Sequence, residues 1–389
     1  MRMRHPDGTL VHLAYCTNVH TAEDLDGVLA QLGRYAGPVR ERLGVPTLGV
    51  GLWLARDVAT TLVDDAAALD RLGDELAACG LEVVTLNGFP YRGFGCDVVK
   101  RKVYTPDWSD PARLAYTLDL ARVLARLLPD DVTGGTVSTL PLGWRTPWFH
   151  DRQEAAAVQL ATLAEELAKL DATTGRAVRV GFEPEPGCVV ETTDDAAAQL
   201  DGVDGDWLGV CLDSCHLAVA HEDPDAALAR LDAAGLPVVK LQASCALEAA
   251  DPGDAQTREA LAGFAEPRFL HQTREPAAAG LRSVDDLDEA LWGRRALPGH
   301  RPWRIHFHVP LHADPVPPLT STRDVLTATL RALLGGPAAR VEHVEVETYT
   351  WDVLPGGRRT DDDLVDGIAA ELDWTRRQLR DLGLSEVAS

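Results

Sequence analysis

An alternation of strand-like and helix-like segments, repeated along nearly the whole chain, restricts the fold more than any other feature of this sequence. The run "LVHLAYCTNVH" reads as a strand, and "TAEDLDGVLAQLGRYAGPVRERLG" follows with a capped start and apolar positions at helical spacing. The pattern continues with "TLGVGLWLA", "DDAAALDRLGDELAACG", "LEVVTLNGFPY" and "DPARLAYTLDLARVLARLLP". "GGTVSTLPLGW" is a fourth strand and residues 151–171 an Ala/Leu/Glu-rich helix. "VRVGFEPEPG", "WLGVCLDSCHLA" and "PVVKLQAS" are strands five to seven, with "DPDAALARLDAAG" a helix before the last of these. "TSTRDVLTATLRALLGG" then leads into a final strand, "VEHVEVETYTW", and a C-terminal helix over 361–383. Alternation of this kind implies a parallel sheet. Eight units predict a closed (β/α)8 barrel, which takes about 250 residues plus insertions. The rival is an open doubly wound sheet, but the glycine-rich dinucleotide turn it often carries is missing after the first strand, where "CTNVHTAED" stands.

One region breaks the rhythm. Between Cys245 and Arg301 there are prolines, acidic runs and the phrase "RFLHQTREP", followed by the strand-like "PWRIHFHVPLH". The reading is a single barrel domain over 1–389 with an insertion or lid at 246–302; either "RIHFHVPL" belongs to that excursion or it is itself a barrel strand.

Composition bounds the partners. The chain has 389 residues, 46% apolar and 25% charged, the profile of a globular protein, and its formal net charge of -23 argues against a nucleic-acid backbone as partner. Seven cysteines in a chain of this length do not form a disulfide scaffold. The segment "MRMRHPDGTLVHLAYC" lacks the apolar core of a signal peptide and no stretch is long enough for a membrane span, so a cytoplasmic location is expected.

In a βα barrel the chemistry collects at the C-terminal ends of the strands. Those ends carry Tyr15, Thr17, Asn18 and His20; Asn87 and Tyr91; Thr139 and Trp144; Glu183 and Glu185; Asp213 and His216; Lys240 and Gln242; and Glu345, Glu347, Tyr349 and Trp351. His306 and His308 lie two apart on the unplaced strand and share one of its faces. Three strand-end carboxylates with a histidine or an amide make a ligand set for a divalent cation, whether Mn, Zn, Mg, Co or Fe. Such carboxylates could not all ionise together without a cation or raised pKa values. Each residue also has a structural alternative: Asp213 as a helix cap, the two histidines as hydrogen-bonded core residues, Tyr349 and Trp351 as core aromatics rather than walls for a ligand. The two prolines of "FEPEPG" stiffen the backbone around Glu183 and Glu185, and Glu185 is read as a rim or substrate-facing residue.

Glu at strand five, Asp-x-x-His at strand six, a polar residue at strand seven and Glu at strand eight resemble the xylose isomerase-like superfamily of TIM barrels. The phrases "YCTNVH", "LNGFPYRGF", "VYTPDW", "STLPLGW", "FEPEPGCVVET", "CLDSCH", "FLHQT", "HFHVPL" and "VEVETYTW" are similar to one branch, the EboE-type metabolite traffic proteins. The resemblance implies metal ligands at Glu183, Asp213 and Glu347, with Glu183 and Glu347 also serving as an acid/base pair. It implies contact of His216 with metal or substrate, and Glu185, His306, Asn87, Tyr349, Trp351 and His20 are expected to face the substrate. Gln242 stands where relatives place a metal-binding histidine. Either the metal is held more loosely, or His306 or His308 supplies the nitrogen. The function so implied is a metal-dependent isomerase or epimerase of a sugar, polyol or similar small metabolite, possible as an oligomer. The alternatives are a non-catalytic metabolite-binding or escort barrel and, more weakly, an endonuclease-IV-like phosphoesterase, which uses more histidines on the early strands, where strands two and three here offer none.

Overall fold

The computed structural model describes residues 1–357 and 360–387. Eight parallel strands close into a barrel: Leu10–Cys16, Leu48–Trp53, Leu81–Asn87, Gly134–Thr139, Ala177–Phe182, Leu208–Asp213, Val238–Ala243 and His343–Val346. Closure is made by strand eight, which pairs with strand seven through Glu345 and Gln242 and with strand one through Glu345 and Ala14. Strands two, three, six and seven are buried along their whole length, as expected for parallel strands covered on both faces. Closure through strand eight excludes the doubly wound alternative.

Local chemistry sets the helix boundaries. Asp110 caps the helix Pro111–Leu127, whose first residue is a proline, and Thr192 and Asp195 form a reciprocal capping box at Thr193–Gln199. A second capping box, Thr360 with Asp363, starts the C-terminal helix Asp361–Asp381. That helix packs against Gly37–Leu43 and carries the buried Glu371 toward the segment after strand eight. Among the described residues no helix is long and apolar enough to cross a membrane.

The strand Trp303–His308 lies outside the barrel. It belongs to a second, antiparallel sheet in the order Gly280–Val284, Thr273–Ala277, Trp303–His308, Ala246–Ala249, Leu319–Ser321. This excursion from the end of strand seven therefore runs past residue 302 to Ser321. The final strand is shorter than "VEHVEVETYTW" suggests. It ends at Val346, because the chain beyond it turns and ties Thr348 Oγ1 to Glu371 at 2.6 Å and Thr350 Oγ1 to the His308 carbonyl. A short N-terminal strand, Arg2–Arg4, pairs antiparallel with strand one and with Ser385–Glu386 at the opposite end of the barrel.

Candidate functional site

Strand ends five, six and eight bring three carboxylates together. Glu183 follows strand five, Asp213 ends strand six, Glu347 follows strand eight, and one oxygen of each lies within 4.8 Å of the others. Asp213 is both cap and site residue. Its Oδ1 accepts from the His216 backbone N–H at 3.0 Å and from Ser244 Oγ at 2.7 Å, which leaves Oδ2 buried and without a partner. Glu347 Oε1 accepts from Asn18 Nδ2 at 2.7 Å and Asn87 Nδ2 at 3.0 Å. Burial, then repulsion from neighbouring carboxylates, pushes Glu183 and Glu347 well above the usual carboxylate range. Burial works the same way on Asp213, but His216, His308 and the Ser244 hydroxyl outweigh it and hold this carboxyl low.

His308 reaches the same cluster from the second sheet. Its Nδ1–H donates to the Glu347 carbonyl at 2.8 Å, so Nε2 carries a lone pair; that atom has no partner and lies 4.0 Å from Asp213 Oδ2. Gln242 is fully buried with both amide atoms unpartnered, as is Glu183 Oε2. Buried polar atoms are rarely left so. Glu183 Oε2, Asp213 Oδ2, His308 Nε2 and Gln242 Oε1 are buried acceptors without partners. Asp213 lies within 4.8 Å of Glu183 and Glu347 in one group and of His308 in another, and a divalent cation with mixed oxygen and nitrogen ligands fits that donor set. Beneath them Lys240 and Glu345 form an ion pair of 2.6 Å, both side chains fully buried.

A second group sits beside the first. The turn "PEPG" is closed by the Cys188 N–H donating to the Glu185 carbonyl at 3.0 Å, and Gly187 takes φ +95° where an added Cβ would meet the Trp144 ring at 2.3 Å. This turn aims Glu185 inward. Glu185 Oε1 accepts from the Tyr104 hydroxyl at 2.7 Å and Oε2 lies 3.2 Å from His216 Nε2. His216 Nε2 in turn faces His306 Nε2 at 3.0 Å. Burial raises Glu185 to about 8, lowers His216 to about 4 and places His306 well below its usual value.

Both groups open on one cleft. Its floor is polar, with Asn18, Asn87, Glu183, Glu185 and Glu347, while Phe89, Phe94, Phe269 and Tyr349 form the outer wall. The wall is latched: Asp285 pairs with Arg101 at 3.3 Å and with Arg145, and Lys100 pairs with Asp286, tying the segments after strands three and four to the end of the second sheet's edge strand. Of the residues expected at a ligand, Asn87, Glu185, His216, His306 and Tyr349 line the cleft. Two do not. His20 turns away to bond the Tyr15 hydroxyl at 2.9 Å and stack on Tyr35, because the chain after Cys16 coils into a short 3-10 turn. Trp351 is drawn to the C-terminal helix, where its indole N–H donates to Glu371 at 3.1 Å. Tyr104, Phe269 and Gln272 were not singled out from sequence. Phe269 and Gln272 lie within the phrase "FLHQT" and Tyr104 within "VYTPDW", which were the available signals, but neither segment has a periodicity that marks the single residue.

The closed barrel gathers its buried carboxylates at the C-terminal strand ends, which defines a βα-barrel protein with a carboxylate-lined rim. Residues 42–265 match the xylose isomerase-like TIM barrel family, and the chain belongs to it. Among solved structures it is similar to a provisionally assigned sugar phosphate isomerase/epimerase from Anabaena variabilis, at 14% identity and TM-score 0.53 over 96% of this chain and 99% of that one. It is also similar to a xylose isomerase-like TIM barrel protein from Mycobacterium smegmatis solved in complex with magnesium, at 14% identity and TM-score 0.51 over 97% and 94% of the two chains. At that identity the likeness is one of fold. No match was found among curated proteins.

Proposed function

We propose that this protein is a divalent-metal-dependent isomerase or epimerase of a sugar-like or polyol metabolite. The carrying observation is the set of unpartnered, buried acceptors on Glu183, Asp213 and His308, beside Glu347 and Gln242. These residues would hold the ion. His308 would supply the nitrogen that Gln242, a neutral amide, does not. A cation held there would polarise a substrate carbonyl and its neighbouring hydroxyl.

The remaining steps belong to side chains of the chain itself. Glu183 and Glu347 are buried at the floor, and burial followed by repulsion from neighbouring carboxylates raises both, which favours proton exchange at either. As an acid/base pair, one carboxylate would take the proton α to a carbonyl and the other would return it. Asn18 and Asn87 fix one oxygen of Glu347 and leave the second for that exchange. Phe89, Phe94 and Phe269 line the cleft and would give the reacting carbon an apolar neighbour. The sequence phrases noted above further support an EboE-type, metabolite-handling role. An escort barrel would keep the pocket and the ion but lack the proton transfer. A phosphoesterase acting on DNA is disfavoured by a narrow, carboxylate-floored cleft on a chain of net charge -23.

The test is metal analysis of the purified chain, followed by exchange of substrate C–H for solvent deuterium over a panel of ketoses and polyols. Glu183→Gln and Glu347→Gln should each slow exchange by about 10²–10⁴-fold. A chain that binds no divalent ion at micromolar concentration ends the proposal. Ion binding without any exchange would favour the escort reading instead.

A further inference from the structure

The C-terminal helix Asp361–Asp381 carries a carboxylate where its pattern calls for an apolar side chain. Leu364, Ile368, Leu372, Thr375 and Leu379 recur at helical spacing on its buried face, and Glu371 stands among them, 1% exposed. A buried carboxylate persists only where donors satisfy it. Glu371 Oε1 accepts from the Leu311 N–H at 3.0 Å and from Thr348 Oγ1 at 2.6 Å, and Oε2 accepts from the Trp351 indole N–H at 3.1 Å. None of these donors lies on a neighbouring helix. They belong to two segments that flank the first cluster, one following the second sheet's strand Trp303–His308 and the other following strand eight.

Each segment also carries site residues. Glu347 directly precedes Thr348, and Glu347 and Tyr349 both line the cleft, while the alternate residues Thr348 and Thr350 turn away from it to bond Glu371 and the His308 carbonyl. His308 stands shortly before Leu311, and its Nδ1–H donates to the Glu347 carbonyl at 2.8 Å, so the two segments are bonded to each other as well as to the helix. The helix is shaped for this contact. A Cβ built on Gly367, one turn before Glu371 on the same face, would meet the Trp351 ring at 2.4 Å, so glycine there lets the indole lie against the helix and reach Glu371. Glycine inside a helix lowers its stability relative to alanine, which makes the contact it permits the reason for its presence. An apolar side chain at 371 would cover the same face but leave three buried donors without an acceptor and both segments untied.

We propose that Glu371 is a positioning residue for the reaction: through Thr348, Trp351 and Leu311 it sets where the Glu347 carboxylate and the His308 ring stand, and so makes the C-terminal helix part of the active site. The chemistry in this proposal rests on the isomerase reading, whereas the tie between Glu371 and the two segments belongs to the folded chain with or without an ion. Glu371 touches neither the cleft nor the cluster and acts only through the residues it holds. Displacing a reacting group by about 1 Å costs about 10²-fold in rate, so a distant carboxylate that fixes two site segments has leverage on the chemistry.

Glu371→Gln keeps the size of the side chain but turns one acceptor into a donor, which then faces either the indole N–H or the Leu311 N–H. Hydrogen–deuterium exchange of the full chain without added metal should quicken in peptides covering 306–312 and 344–352 and stay unchanged in the other barrel strands. Affinity for cobalt(II) should fall about tenfold. In substrate C–H exchange, kcat should fall about 10²-fold with KM within about twofold of the wild type. Leu379→Ala, further along the same buried face, controls for stability alone: it should lower Tm while leaving both peptides, the cobalt affinity and kcat unchanged. Trp351→Phe removes one donor and keeps a ring against Gly367; it should move the same readouts in the same direction, and it serves if Glu371→Gln does not fold. A folded Glu371→Gln with unchanged peptides, with unchanged cobalt affinity and kcat, or with losses that Leu379→Ala reproduces overturns the positioning role. Loosened peptides in a chain whose wild type binds no cobalt would overturn the isomerase reading alone.

Discussion

Gly51 holds open the space through which Glu345 reaches Lys240, and replacing it by alanine should break the barrel's buried ion pair. A Cβ built on Gly51 would stand 1.3 Å from Glu345 Oε1 and 2.5 Å from its Cδ, an overlap no rotamer adjustment of a methyl relieves. Glu345 must move. It is fully buried, as is Lys240, and the ammonium's other contacts are long: 3.4 Å to the Leu86 carbonyl and 3.3 Å to Ser138 Oγ. Separating a buried pair so that one charge is left uncompensated costs about 3–5 kcal/mol. The gain from replacing glycine by alanine in the unfolded chain offsets only about 0.4–1 kcal/mol of this. With an unfolding entropy of about 2.1 cal/mol/K per residue, a net loss of about 3–4 kcal/mol in a chain of 389 residues lowers Tm by about 4–5 °C. Thermal unfolding by circular dichroism, at fixed metal concentration, measures it. Adding Glu345→Ser and Lys240→Met to Gly51→Ala removes both the overlap and the orphaned charge, so the triple variant should recover most of the loss. Gly51→Ala within about 1 °C of the wild type, or a triple variant no more stable than the single one, would refute the argument.

Two further predictions concern the barrel's far end and the latch over the cleft. Burial pushes Glu82 up, but His12, Arg2 and the N-terminal amine overcome it and hold the carboxyl at about 2. A depressed folded-state value means that its contribution is present above the unfolded value near 4.5 and is lost as pH falls from there toward 2. That contribution is about 3 kcal/mol for a shift of this size, so Glu82→Gln should flatten the stability curve in this window; an unchanged slope between pH 4.5 and 2.5 would count against it. Asp285→Ala removes the shared partner of Arg101 and Arg145. Both arginines are substantially exposed, so Tm should hardly change, whereas proteolysis within residues 92–104 should accelerate several-fold. Equal cleavage rates in the two proteins would show that the latch does not hold that segment down.

The barrel was legible because its information is local and periodic. Parallel strands buried on both faces appear as short apolar runs, and the polar residue at the end of each run marks the rim. Reading "FEPEPG", "CLDSCH" and "VEVETYTW" this way puts Glu183, Asp213 and Glu347 on the same rim, and the structure brings one oxygen of each within 4.8 Å of the others. What strand-end reading missed is non-local or irregular. His20 and Trp351 occupy rim positions in sequence, but one is turned away by a 3-10 turn and the other is captured by Glu371 on a helix that arrives much later in the chain. Tyr104 orients Glu185 from a turn between elements, and Gln272 orients His306 from across the second sheet. Neither pairing has a sequence period.

The second sheet gives a physical answer to the departure at Gln242. A strand-seven side chain there could offer a cation only a neutral amide oxygen, a weaker donor than imidazole. The pairing of Trp303–His308 with Ala246–Ala249 is anchored directly to the end of strand seven, and it shifts register between Ile305 and His308. That shift lets Val309 N bond the Cys245 carbonyl at 2.9 Å while His308 Nδ1 bonds the carbonyl of Glu347. His308 is thus fixed by the backbone of one carboxylate residue and aimed at the free oxygen of another. On the proposed reading the excursion replaces a ligand that the barrel strand no longer provides. A chain with residues 246–321 cut back to a short loop would then keep its barrel and three carboxylates but lose the His308 nitrogen, so its metal affinity should fall even though every strand-end ligand remains.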